Sequence, residues 1–326
     1  MRIGFAITRA AAVDNTWTTV ALITAALERG HRCSVIEPWD WQVDPKRGLS
    51  ARAHVFDAPV GPDEVARALA HRLAHRRWAP IDNLDLLLLR ASPLDPTLLA
   101  FATVAQQNGV RVVNDPTGLI AVSHKSWLAS LNNVRTPPCV VTRSRATAHL
   151  FLVEQPDGVV VKPARGSGGR AVSQVAPYAA DQLDIAFDRA SACGDGHVVV
   201  QRWLPESSHG EKRLIWLDGK AIGGYLRQRA PGEFRHNLKR GGVPCPTEIT
   251  DAEREAISGL TPALQATGIR LAGLDLIGDW ITEVNALNPG GVHHADRLHG
   301  THLSHQILEQ LAAPIEPRQP WAHPVH

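Results

Sequence analysis

Two stretches of the chain have residue types and spacing that could do chemistry. The first is Val159-Val160-Val161-Lys162-Pro163-Ala164-Arg165-Gly166-Ser167-Gly168-Gly169-Arg170. An apolar strand ends in a lysine, and a loop with three glycines in four residues follows. Glycines let successive backbone N–H groups turn toward one anion, and the Ser167 hydroxyl could join them. Lys162 adds a point charge suited to phosphate oxygens. No Gly-Lys-Ser/Thr follows, so this is not a Walker A loop. Read alone, the same composition also fits a surface hairpin. The second stretch is Gly273-Leu274-Asp275-Leu276-Ile277-Gly278-Asp279-Trp280-Ile281-Thr282-Glu283-Val284-Asn285. Gly278-Asp279 is a turn between two strands. Glu283 and Asn285 are two apart and share a face, and a suitable register puts Asp275 on it too. Hard oxygen ligands on neighbouring strands suit Mg2+, while an edge hairpin with solvated acids is the plainer alternative.

Three further segments carry weaker signals. Gln201-Arg202-Trp203-Leu204-Pro205 ends an apolar strand and could offer backbone groups and an apolar wall to an adenine ring, or could simply be core. Gly210-Glu211-Lys212-Arg213 and Arg235-His236-Asn237-Leu238-Lys239-Arg240-Gly241-Gly242 are rich in cations and glycines. Arginine forks suit carboxylates and phosphates, and an exposed basic loop is the competing reading. His293, His294, His299, His302 and His305 crowd the C-terminal part. With 16 histidines in the chain, such pairs arise by chance and carry little weight as a metal site.

The elements that must position these residues change character along the chain. Residues 2–8, 33–37, 84–89 and 111–113 read as strands, alternating with helices at 17–29, 64–77 and 98–107. That alternation predicts an open parallel sheet over residues 1–121. The tract 40–63 gives no clear reading. From residue 122 the pattern is α+β: a short helix at 124–131, strands at 140–142, 159–161, 197–201 and 214–217, a hairpin turn at Asp218-Gly219, and helices at 251–267 and 302–312. We divide this part into a smaller unit with the glycine loop (122–200), a larger one with the acidic strands (201–313) and a loose Pro-rich tail (314–326).

Composition narrows the function classes. A chain of 326 residues is long enough for about two domains and a large core. The net charge of +2 gives no field for nucleic acid, and no aromatic interleaving accompanies the basic segments. No stretch reaches the ~18 apolar residues of a membrane span, and Arg9 and Asp14 argue against a secretory leader. Cys33, Cys139, Cys193 and Cys245 form no CxxC pair. Reduced thiols in a cytoplasm are expected.

Taken in order, these segments resemble the ATP-grasp ligases, and among them the bacterial glutathione synthetases, over nearly the whole chain. The resemblance implies the ATP-grasp fold behind an N-terminal α/β domain, with ATP and Mg2+ as cofactors and Mn2+ as an alternative ion. It implies that Lys125 and Lys162, two of only six lysines, contact ATP phosphates. Gly166, Ser167, Gly168 and Gly169 would form the lid. Gln201, Arg202, Trp203 and Leu204 would hold adenine, and Glu211 the ribose. Asp275, Glu283 and Asn285 would bind the metal. Arg213, Lys162, Arg235 and Asn237 would act around the transferred phosphate and substrate. The implied reaction activates a carboxylate as an acylphosphate, which an amine then captures, forming an amide with release of ADP and phosphate. A dimer or tetramer is implied as well.

Departures from the family pattern fall on the substrate side. An Arg-Lys-Asp-Pro-Pro-type stretch is replaced by Arg90-Ala91-Ser92-Pro93-Leu94-Asp95, and an acid-serine pair by Thr16-Trp17-Thr18. Asn288-Pro289-Gly290-Gly291 leads to His293 where an arginine is usual. Arg90, Ser92, Arg235, Asn288, Gly290, Gly291 and His293 are thus the candidate substrate residues. The expected carboxylate and amine are amino acids or a small peptide other than γ-glutamylcysteine and glycine. The authentic glutathione pair is the first alternative, and a nucleotide-binding module without turnover the second.

Overall fold

The computed structural model describes residues 1–46, 48–71, 76–166 and 168–313. Ser167 and the tail 314–326 lie outside the described residues. The N-terminal region runs β1 (Arg2–Ala6), α1 (Thr18–Glu28), β2 (Arg32–Asp44), β3 (Gly48–Phe56), α2 (Pro62–Ala70), β4 (Arg76–Pro80), β5 (Leu86–Leu89), α3 (Pro96–Gln107), β6 (Arg111–Val113) and α4 (Pro116–Val122). Its sheet has the order β4-β3-β2-β1-β5-β6. Strands β2, β1, β5 and β6 pair in parallel, as strand–helix alternation predicts. All four residues of β5 are buried, the pattern of a strand covered on both faces.

The tract at 40–63 resolves into an antiparallel extension. Strand β2 runs on to Asp44, turns, and pairs antiparallel with β3, which pairs antiparallel with β4. Its mixed composition follows from having one wetter face, where Trp39 and Val43 are exposed. The helix expected at 64–77 therefore stops at Ala70, and Arg76 and Arg77 belong to β4. Residues 72–75 lie outside the described residues.

A second region contains α5 (Lys125–Ala129), β7 (Cys139–Thr142), α6 (Arg145–Val153), β8 (Val159–Pro163), β9 (Ser173–Val175), α7 (Ala180–Cys193) and β10 (Val198–Arg202). Its antiparallel sheet has the order β7-β10-β8-β9. The third contains β11 (Glu211–Leu217), β12 (Lys220–Gln228), β13 (Val243–Cys245), α8 (Asp251–Ala266), β14 (Leu271–Ile277), β15 (Trp280–Asn285), α9 (Val292–His299) and α10 (Leu303–Ala312). Its sheet order is β13-β12-β11-β14-β15. Helix α8 begins with a capping box, in which Thr250 and Glu253 each satisfy the other's backbone N–H.

The buried side chains fall into three clusters. Two of them run from the N-terminal sheet into the third region: Leu87 and Leu98 pack with Trp216, Leu260 and Leu274, and Ile3 and Leu22 with Leu217, Leu271 and Ile307. Asn114 fastens the same junction. Its amide donates to the carbonyls of Leu271 and Ala286 at 2.8 and 2.9 Å. Its oxygen accepts from the N–H groups of Arg270 and Leu271 at 2.8 and 3.0 Å. The third cluster, with Leu152, Val161, Leu183 and Val200, is confined to the small sheet.

Candidate active site

Register on the third sheet sets out the chemistry. Arg213 on β11 lies opposite Tyr225 on β12 and Asp275 on β14, and Asp275 lies opposite Glu283 on β15. One step along, Glu211 is opposite Arg227. Because side chains alternate along a strand, this puts two parallel rows of polar groups on one face. Strand β11 begins at Glu211, so Glu211 and Arg213 sit on a part-buried strand and not on an exposed loop.

Asp275 is 2% exposed, yet it is ionised in a cage of donors. Arg213 grips it with both prongs, Nε to Oδ1 at 2.6 Å and Nη2 to Oδ2 at 3.0 Å. Arg227 pairs with Oδ1 at 2.6 Å, and the Asn285 amide donates to Oδ2 at 3.2 Å. Burial alone would raise this carboxyl; the two guanidiniums override it and hold it below its ordinary value. Glu211 has one arginine, Arg227, at 2.9 Å, and two acids nearby. Burial, only partly offset by Arg227, pushes it up to about 7.

The small sheet supplies the opposing wall. Lys162, on β8, donates to Gln201 Oε1 at 3.0 Å and to the Thr282 carbonyl at 3.3 Å. Burial lowers its ammonium below the usual lysine value, with Glu283 acting in the opposite sense. Lys125 reaches Glu283 at 3.1 Å and the Gly166 carbonyl at 3.2 Å. The glycine loop meets the 230–242 segment: Arg235 donates to the Gly169 carbonyl at 3.0 Å while Glu233 holds its other nitrogens. Gly169 has φ +70°, and a Cβ there would sit 2.5 Å from Asn237 Oδ1. Only glycine allows the two loops to approach this closely.

These residues line a cleft between the two sheets. Lys125, Lys162, Gly166, Gly168, Gly169, Gln201, Arg202, Trp203, Leu204, Glu211, Arg235, Asn237, Asp275 and Glu283 all border it. The Arg202 side chain lies on the Trp280 ring, 4.9 Å from its centroid. Ser167 falls outside the described residues. A second cavity of about 940 Å3 opens toward the N-terminal sheet and is bordered by Arg90, Ser92, Arg213, Asn285, Asn288, Gly290 and Gly291. The two spaces join where Lys125, Lys162, Gly166, Asn237 and Glu283 border both. His293 does not border the second cavity; its neighbour His294 does, its ring tilted 56° against Tyr225 with centroids 5.4 Å apart. Gly291, with φ +113°, lets the chain pass that ring, since a Cβ would lie 2.8 Å from Tyr225.

Arg90 is 3% exposed. Its Nε donates to Thr19 and its Nη2 to the Pro289 carbonyl, leaving Nη1 without a partner among the described residues. Burial pushes its pKa down to about 9, which still leaves it charged at neutral pH.

Sequence reading passed over Phe234, His236 and Thr282 in the cleft, and Tyr225, Arg227 and His294 around the second cavity. A signal existed for two of them. Tyr225 and Arg227 are two apart on an apolar strand, the spacing that flagged Glu283 and Asn285. His294 had none, because one residue of helical phase separates it from His293.

A glycine loop on a four-stranded antiparallel sheet, facing acids on a second antiparallel sheet, defines the ATP-grasp class. Solved structures agree on the fold. D-cycloserine synthetase aligns with a TM-score of 0.67 at 17% identity, covering 95% of this chain and 98% of that one. The D-Ala:D-Ser ligase from Enterococcus faecalis aligns at 0.64 and 15%, covering 95% and 98%. The family models then narrow the class. The prokaryotic glutathione synthetase N-terminal domain matches residues 1–119, and the ATP-grasp domain of the same family matches 125–300. A glutathione synthetase from Synechocystis is 31% identical over 299 residues, covering 89% of this chain and 92% of its own. One from Rhodopseudomonas palustris is 30% identical, with 91% and 93% covered. The chain belongs to the prokaryotic glutathione synthetase family and is an ADP-forming carboxylate–amine ligase.

Proposed function

We propose that the chain forms a peptide bond between the carboxylate of a small peptide held in the second cavity and a small amino acid, with γ-glutamylcysteine and glycine as the pair to test first. The observation that carries this is the junction of the two spaces at Lys125, Lys162, Gly166, Asn237 and Glu283. A nucleotide in the cleft would present its terminal phosphate there, and a carboxylate in the cavity would approach from the other side. Lys162 and Lys125 offset charge on the transferred group, and Arg213, already aligned by Asp275, offsets charge on the attacking carboxylate. The seam between Gly169 and Arg235 keeps water from the acylphosphate, and the amine captures its carbonyl carbon with loss of phosphate.

The donor set fits a hard divalent ion. Asp275, Glu283 and Asn285 offer oxygens from two paired strands, and Asn285 donates through its nitrogen, so its oxygen remains a ligand. Mg2+, or Mn2+ in its place, would neutralise phosphate charge when bound. The four separate thiols fit a reducing cytoplasm, and a homodimer or homotetramer is the proposed assembly.

The names of relatives spanning nine-tenths of the chain support the glutathione pair. A second reading, a different amino acid or dipeptide pair, is favoured by the cavity lining itself. Arg90 enters it without a neighbouring lysine or acid, and His294 with Tyr225 closes its far side. ADP release with Mg-ATP, γ-glutamylcysteine and glycine, with mass spectrometry of the product, decides between them. Glutathione formation at a rate of at least about 1 s−1 supports the first reading. ADP release only with another pair from an amino acid and dipeptide matrix establishes the second.

A further inference from the structure

Away from the cleft, three side chains converge at the foot of the glycine loop. His124 caps α5, and Asp195 and His197 form the turn that leads into β10. His124 Nε2 lies 3.3 Å from Asp195 Oδ2, and His197 Nδ1 lies 3.4 Å from Asp195 Oδ1. One ligand atom from each of the three lies within 4.8 Å of the others. Bond lengths of about 2.0–2.2 Å to zinc require ligand atoms roughly 3.3–3.6 Å apart in a tetrahedron, and each imidazole already stands at such a distance from one of the two Asp195 oxygens. The ligands are also held. His124 Nδ1 bonds Ser126 Oγ at 2.6 Å, which fixes the ring, and the His197 backbone N–H donates to Asp195 Oδ1 at 3.1 Å. His124 is 17% exposed, Asp195 36% and His197 44%, so an ion can enter from solvent.

We infer that His124, Asp195 and His197 form a transition-metal site of the Zn2+ class, distinct from the oxygen-rich site at Asp275, Glu283 and Asn285. Two imidazoles and one carboxylate suit Zn2+ or Co2+ and disfavour Mg2+. The site has a built-in competitor. Arg165 Nε pairs with Asp195 Oδ2 at 3.3 Å, and Arg165 is joined directly to Gly166 of the glycine loop. At 46% exposure its side chain is free to swing into solvent when an ion takes the carboxylate. The site's location gives it a consequence. His124 caps the helix whose Leu128 packs in the core shared with the N-terminal sheet, whereas Asp195 and His197 form the turn into β10 of the small sheet. An ion held by all three staples the small sheet to the rest at the base of its glycine loop.

The test uses the full-length protein with excess Mg2+ and ATP present, so that the oxygen site is filled. Zn2+ is titrated by equilibrium dialysis, and Co2+ is followed by its visible ligand-field bands. One Zn2+ per chain and tetrahedral Co2+ bands are expected. His197→Ala should weaken binding by at least about tenfold, and Arg165→Ala, which removes the competitor, should tighten it. His197→Gln serves if the alanine variant does not fold, judged by circular dichroism. Equal Zn2+ binding by wild type and both His197 variants would overturn the site, as would Zn2+ binding lost only in Glu283→Gln. Failure of the proposed substrate pair leaves these readouts unaffected, because none depends on turnover.

Discussion

The small sheet and the rest of the molecule are built on different terms. The N-terminal and third sheets share two apolar cores and the buried Asn114 clamp. The small sheet keeps a core to itself. Its links across the cleft include the hydrogen bonds of Lys162 to the Thr282 carbonyl and of Arg235 to the Gly169 carbonyl. Trp280 adds a stacked contact, with Arg135 at 4.0 Å and Arg202 at 4.9 Å. Apolar burial between sheets makes a rigid platform, whereas polar links can be remade when charge enters between them. The difference makes the N-terminal and third sheets one platform and sets the small sheet apart from it.

The sharpest way to test that division is to damage the polar face while leaving both cores intact. Glu283→Gln removes the charge that holds Lys125 and, on the proposed reading, a metal ligand. ADP release should fall on the order of a thousandfold, with an unchanged melting temperature. Activity within tenfold of wild type would remove Glu283 from the site. Asn114→Ala attacks the platform instead. It strands two N–H groups and two carbonyls that have no other described partner, and a loss of about 4 kcal/mol is expected in denaturant unfolding. Leu183→Ala empties part of the small sheet's own core and should cost about 3 kcal/mol. If the regions are as separate as their cores, hydrogen exchange will speed up in residues 139–202 and stay slow in β5 and β14. Equal acceleration everywhere would mean that the molecule is one cooperative unit.

The same division governs what could be read from sequence. The cleft was legible because strand-end lysines, glycine runs and alternate acids have local signatures. Lys162 and Glu283 border it, and Asn285 lies two residues beyond Glu283 on β15. The second cavity was less so, because its lining is drawn from many separate segments between Ile7 and His294. Arg90 borders the cavity as expected, but His294 borders it in place of His293, a rotation of about 100° that the start of α9 at Val292 decides. Strand β3 was missed because Ser50, Arg52 and His54 dilute its apolar positions, although most of it is buried between β2 and β4, whereas β5 stood out as four buried leucines. The helices α6 and α7 were passed over as well. Both are short-period apolar stripes diluted by exposed Leu150, Val153 and Ile185.

The smallest predicted effect bears on which wall holds the ribose. Glu211 lies on the platform and is pushed up to about 7, chiefly by burial, with Arg227 opposing and Asp275 and Glu283 reinforcing. A carboxyl that titrates near 7 goes from about one-tenth to nine-tenths ionised between roughly pH 6 and 8. If its ionised form accepts the ribose hydroxyls, affinity for Mg-ATP rises across that interval by up to about ninefold. The same group has the opposite influence on folding. The folded chain keeps a proton that the unfolded chain releases at the ordinary carboxylate value, so this contribution to stability falls as pH rises from 4.5 to about 7 and levels off above that. Glu211→Gln should flatten both profiles while leaving the Asp275 cage in place. Nucleotide binding by calorimetry at several pH values, in wild type and variant, separates the two effects. An affinity profile unchanged by the substitution would remove Glu211 from nucleotide recognition and shift that role to the small sheet.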